Sequence, residues 1–169
     1  MRKFRPRVAA VYIALLAAFL ALPAPTDAQS RLPYNLPQVR EYLRVEPTDL
    51  TFAIAAAGSN VSEVTITVKN AAGTTLASVW TTRVWLSDSA TCAALTTTTA
   101  SGTVTAKAAS GVVVSTSTAK KDLVVSTLAT GVFILEITDT AKTGFFVCGA
   151  IPGKAKADAS AQLVTGSYG

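Results

Sequence analysis

Val61-Ser62-Glu63-Val64-Thr65-Ile66-Thr67-Val68 alternates apolar and polar side chains over eight residues, with Val64, Ile66 and Val68 on one face and Glu63, Thr65 and Thr67 on the other. A period of two is the pattern of a strand with one face in a core and one in water. Working outward, Asn70-Ala71-Ala72-Gly73 supplies a turn. Residues 79–87 then read as a second strand, with Trp80, Val84 and Leu86 on one face, Arg83 and Trp85 on the other, and Asp88 to Ala90 closing it. The Thr-, Ala- and Ser-rich stretch 91–110 reads as a long loop holding a short strand at 103–106. Strands are expected at 112–115, 122–127, 132–138, 144–149 and 159–165, and Phe133, Leu135 and Ile137 alternate against Glu136 and Thr138. Seven to eight short strands at about ten-residue spacing, with no long helical pattern, predict an all-β fold, an Ig-like antiparallel β-sandwich. Its expected core is Val64, Ile66, Val84, Leu86, Leu123, Val125, Phe133, Leu135 and Ile137. Both tryptophans precede Cys92, so the Cys-Trp-Cys order of antibody domains is missing and the sandwich reading rests on strand spacing.

The N-terminal part divides differently. Residues 1–28 have a basic start (Arg2, Lys3, Arg5, Arg7), a charge-free apolar run from Val8 to Leu22, and Pro23 to Ala28, where cleavage after Ala28 fits a secretory signal. Fifteen apolar residues fall short of the roughly 20 that cross a bilayer as a helix, so a membrane is expected as a partner only through residues 8–22 of an uncleaved chain. Residues 29–57 read as an extended arm or linker, interrupted by Pro33, Pro37 and Pro47, with two turns of helix expected at 37–44 and a strand-like start at Leu50, Phe52 and Ile54 that Gly58 ends. The sandwich is assigned to residues 58–169.

Composition narrows the chemistry. There are 169 residues and no histidine, which removes the commonest general base and the commonest metal ligand. The net charge of +5 is concentrated at the N-terminus: without residues 1–28 the chain has 11 Lys/Arg against 9 Asp/Glu. With no basic face and no aromatic-basic interleaving, nucleic acid is not an expected partner. Ser117-Thr118-Ala119-Lys120 and Lys142-Thr143-Gly144 match the S-x-x-K and K-T-G fragments of serine β-lactamases, but that chemistry needs the Ser and Lys on a helix and this region reads as strands. Asp88 and Asp139 stand at predicted strand ends; were they at one pole of a sandwich they would form a carboxylate pair able to hold calcium, but turn capping is the favoured role. No enzymatic activity, cofactor or metal is expected.

The candidate site residues are of three kinds. Cys92 and Cys148, the only cysteines, either pair as a disulfide closing a loop of about 55 residues or remain independent thiols, and the sequence leaves both open. Arg83 and Trp85, two apart on one strand face, offer a protein- or sugar-binding surface or a packing face for residues 29–57. Leu32, Tyr34, Leu36, Val39, Tyr42 and Leu43 supply the arm with apolar side chains for an interface.

Val84-Trp85-Leu86-Ser87-Asp88, Ala119-Lys120-Lys121-Asp122-Leu123, Thr130-Gly131-Val132-Phe133, Ile137-Thr138-Asp139-Thr140-Ala141-Lys142-Thr143 and Phe145-Phe146-Val147 follow one another in the order seen in small Ig-like β proteins of tailed phages. The resemblance covers roughly residues 60–168; more loosely, the chain is similar to invasin-type bacterial Ig-like domains. The first resemblance implies a non-enzymatic virion component, a capsid decoration or fibre-attached module on the virion surface, with other virion proteins or further copies of itself as partners. The alternative is an exported module, periplasmic, secreted or at the cell surface, that binds surface proteins or carbohydrate.

Overall fold

The computed structural model describes residues 46–169. Nine strands make two antiparallel sheets: β1 (Asp49–Gly58), β2 (Val61–Lys69), β3 (Thr81–Ser87), β4 (Val104–Ala106), β5 (Val112–Thr118), β6 (Asp122–Ser126), β7 (Val132–Thr138), β8 (Phe146–Ala150) and β9 (Asp158–Gln162), followed by a short 3-10 turn at Thr165–Ser167. The four-stranded sheet has the order β1-β2-β7-β4 and the five-stranded sheet the order β5-β6-β3-β8-β9. The expected all-β sandwich is the observed one, with one strand more than the spacing indicated.

The period-two strands account for the layers. On β2, Val64, Ile66 and Val68 are buried, and on the β7 ladder beside it Leu135 lies opposite Val64 and Phe133 opposite Ile66. Val84 and Leu86 on β3, Leu123 and Val125 on β6, and Val147 on β8 fill the facing layer. All nine side chains expected in the core are buried there. At roughly 25 cal/mol per Å² of apolar surface removed from water, this interdigitated layer is the dominant stabilising contribution.

Laid side by side, the strands occupy the positions of a variable-type immunoglobulin sandwich: β1, β2, β7 and β4 stand where A, B, E and D would be, and β9, β8, β3, β6 and β5 where G, F, C, C′ and C″ would be. The path between them differs. After β3 the chain crosses to the four-stranded sheet as β4, then returns to the far edge as β5 and folds back as β6. The Thr-rich 88–103 connection supplies the length for that crossing. Just before β7, Gly131 sits at φ +74 against the Leu76 carbonyl, where any side chain would collide.

The boundary expected at residue 58 is corrected. Asp49–Gly58 is a full edge strand, in register with β2 from Asp49 opposite Lys69 to Ala56 opposite Ser62. Leu50 is buried in the core, with Phe52 and Ile54 packed against it. Pro47 does break the chain, but two residues ahead of the strand, and the run of small alanines after Ile54 reads as weakly apolar although Ala55 and Ala56 pair in register with β2, Ala57 being the extra residue of a shift before Gly58. The arm assignment therefore fails for residues 49–57; residues 1–45, with the signal-like segment and the short helix expected at 37–44, lie outside the described residues. A chain shortened to begin at Gly58 is expected to melt about 10 °C below one beginning at Glu46, because loss of buried Leu50 alone costs about 2–5 kcal/mol. Equal melting temperatures by circular dichroism would mean that β1 contributes nothing.

Candidate functional site

The outward face of the five-stranded sheet carries the residues singled out on β3. Arg83 forks onto Asp122 of β6, with Nε to Oδ1 and Nη2 to Oδ2 both at 2.9 Å. Its guanidinium carbon also lies 4.9 Å from the centre of the Trp85 ring. Both contacts follow from register, since Asp122 pairs with Trp85 across the ladder and so lies diagonal to Arg83. The fork to Asp122 holds the Arg83 pKa above its ordinary value, and partial burial opposes this.

Trp85 is not a free binding surface. It is only 7% exposed and sits with Cys92 and Cys148 in a second apolar cluster outside the main core, against Leu95, Phe146, Ala150, Ala157 and Ala159. Cys148 lies opposite Trp85 on β8 and is bonded to Cys92 in the loop after β3, with 5.8 Å between the Cα atoms. The bond thus ties that loop onto the outer face of one sheet, whereas antibody domains join their two sheets through the core. The reading of Arg83 and Trp85 as an interaction surface, or as a packing face for residues 29–57, is corrected for Trp85: the chain's own loop after β3 covers the indole. The side chain of Arg83 remains 52% exposed. The arm residues Leu32, Tyr34, Leu36, Val39, Tyr42 and Leu43 lie outside the described residues.

The pole at which β3 and β7 end is built from carboxylates and lysines that cap loops. Asp88 accepts hydrogen bonds from the Thr96 hydroxyl and from the backbone and side chain of Thr97, and these hold its pKa below the usual carboxylate value. Asp139 accepts from the backbone N–H groups of Ser101, Ala141 and Thr143. Lys121 donates to the carbonyls of Thr96 and Thr97, and Lys120 to those of Ala100 and Ser101. Both aspartates therefore organise the crossing loop, as the turn-capping reading expects. Neither lactamase-like fragment is helical: Ser117 and Thr118 end β5 and lead into a turn, and Lys120 and Lys142 sit at left-handed positions with φ 61 and φ 51.

Asp139 gives this pole a pH dependence. Burial works against its ionisation, but hydrogen bonds from Thr143 and Ser101 outweigh burial and lower the pKa to about 2. The folded value lies below the unfolded one, near 4, so the stabilisation is present at neutral pH and is lost as pH falls from about 4 to about 2. The contribution is about 2 kcal/mol. Urea unfolding at pH 6 and pH 2.5 should show that loss in the wild type and a smaller one in Asp139→Asn, which cannot titrate; equal losses would remove Asp139 from the account.

At the opposite pole a cleft of about 230 Å³ is lined by Glu46, Pro47, Leu50, Val68, Trp80, Thr81, Thr82, Ile151 and Pro152. A more open hollow of about 400 Å³ adjoins it, sharing Glu46, Pro47, Ile151 and Pro152 and adding Thr48, Gly153 and Lys154. Glu46 and Lys154 are the ionisable groups of the two, and Lys154 is already bridged to Asp49 and Asp158. Comparison with family models, with characterised proteins and with solved structures finds no match.

Proposed function

We propose that this protein is a non-enzymatic structural module that works by associating with other proteins. The observation that carries this reading is the internal use of its charged groups. Asp88, Asp139, Lys120 and Lys121 cap loops, Arg83 forks onto Asp122, and Lys154 bridges Asp49 and Asp158. Groups held this way give order to the fold and are not poised to bind or release a substrate proton. The ordered matches to small phage Ig-like proteins favour a virion component, a capsid decoration or fibre-attached module. The crossing from β3 to β4 would then be the scaffold that presents its loops on the particle surface.

The second reading, an exported module at the cell surface or in the periplasm, is favoured by the Cys92–Cys148 bond together with the signal-like residues 1–28. Quantitative mass spectrometry of purified particles and of envelope and periplasmic fractions from the source cells separates the two. Enrichment in particles at a fixed ratio to the capsid protein supports the virion reading. Recovery in the envelope or periplasm, with residue 29 as N-terminus, supports export, and a soluble cytoplasmic pool alone would overturn both.

A further inference from the structure

The two ends of the sandwich are finished differently. Where β7 ends and β8 begins, the residues after β9 complete the main core: Leu163 is fully buried, Tyr168 is 3% exposed, and the Tyr168 hydroxyl donates to the Thr143 carbonyl at 2.8 Å. At the opposite end, where β1 starts and β2 stops, the cleft opens between the sheets, with Leu50 and Val68 on one side and Trp80, Thr82 and Ile151 on the other. Leu50, Val68 and Ile151 belong to the main core and Trp80 packs against it, so the cleft leads onto core side chains. Glu46 and Pro47, the first two described residues, stand on its wall, and Thr48 carries the chain from there into β1.

We propose that Tyr42-Leu43-Arg44-Val45 of the same chain seats in this cleft and closes that end, as Leu163 and Tyr168 close the other, wherever the protein resides. Position selects the occupant. At about 3.3–3.6 Å per residue, the backbone of Leu43 lies within roughly 11 Å of that of Glu46, which itself lines the cleft. Tyr42, Leu43 and Val45 are thus the apolar side chains that the covalent chain delivers to the mouth. A tether this short gives an effective concentration in the millimolar range, whereas a separate partner must offset translational freedom that the tethered segment has already lost. Arg44 is the one charged residue of the four, and at the rim its head stays in water.

The cleft also holds an unanswered donor. Trp80 lines it, and the Trp80 Nε1–H is buried with no acceptor among the described residues. Buried N–H groups are nearly always paired, and an indole can only donate. The seated segment brings backbone carbonyls and the Tyr42 hydroxyl to that wall. Seating also divides the arm: Tyr42 and Leu43 become part of the domain, and Leu32, Tyr34, Leu36 and Val39 are the apolar side chains left for other proteins.

Indole N–H exchange by nuclear magnetic resonance reads the seat in the full chain carrying isotope-labelled tryptophan. Trp80 and Trp85 are the only tryptophans, and Trp85 lies apart in the cluster around Cys92 and Cys148. The double variant Tyr42→Ser, Leu43→Ser is expected to speed exchange of the Trp80 Nε1–H by about tenfold or more and to leave that of Trp85 unchanged. The wild type is expected to show nuclear Overhauser contacts between the Leu43 and Ile151 methyl groups that persist on dilution from about 500 to 20 µM, a result that needs no variant to fold. Equal Trp80 exchange in the wild type and the folded variant overturns the proposal, as does a wild type without the Leu43–Ile151 contacts. Contacts that vanish on dilution overturn it too, since another copy then supplies the segment.

Discussion

Phe133→Ala is expected to destabilise the protein by about 3–5 kcal/mol, the range for emptying a fully buried aromatic site. Phe133 is entirely buried and stands opposite Ile66 at the centre of the four-stranded sheet. The Cδ2 edge of its ring stands against Gly111, which adopts φ +114 and has no space for a side chain. That backbone is held in place, so the cavity left by the ring cannot collapse easily. A fall in melting temperature of roughly 10–20 °C should follow for a domain of this size. Ile134 supplies the control: it points to the other face of β7 and is only half-buried, so Ile134→Ala should cost clearly less. If the two substitutions cost the same, or if Ile134 costs more, the strand is read one residue out of register.

Loss of the Cys92–Cys148 bond is expected to cost a comparable amount, about 4 kcal/mol on the chain-entropy account, because the bond closes a loop with a sequence separation of 56. The cluster around it makes the loss specific. Cys148 is fully buried beneath the loop, and Trp85 packs directly on the pair. Cutting the bond therefore frees the loop after β3 and exposes the indole. The Cys92→Ala, Cys148→Ala variant should show both a lower urea midpoint and a red-shifted tryptophan emission before global unfolding, while Trp80, packed on the main core, contributes no such early change. A variant with the midpoint and emission of the wild type would show that the loop holds without its covalent tie.

The core was legible because its code is local. Val64, Ile66 and Val68, like Phe133, Leu135 and Ile137, alternate with polar residues, and a strand with one wet face permits little else. β1 was harder to read: after Leu50, Phe52 and Ile54 the sequence runs through Ala55, Ala56 and Ala57, whose methyl groups carry little hydrophobic contrast, so pairing with β2 had to be learned from register. The fate of Trp85 depended on a tertiary event. The loop that follows β3 covers it, and what holds the loop there is the bond from Cys92 to Cys148, 56 residues away in sequence. Asp88 and Asp139, by contrast, were readable as turn caps, because short acidic side chains at strand ends find backbone N–H groups close in sequence.

Among the described residues the nine strands form a sandwich in which β1, from Asp49, is tied to β9 by the Leu50 N–H to Asp158 and by Lys154 between Asp49 and Asp158. Residue-resolved amide hydrogen exchange tests it most directly, with the Leu50 N–H as reporter, since that group donates to Asp158 on β9 at 2.9 Å. The predicted result is protection of Leu50 and of the β2-facing amides of residues 49–58, comparable to that of β2 and β7. Exchange of residues 49–58 at the rate of an unstructured chain, with residues 61–69 protected, would contradict the account.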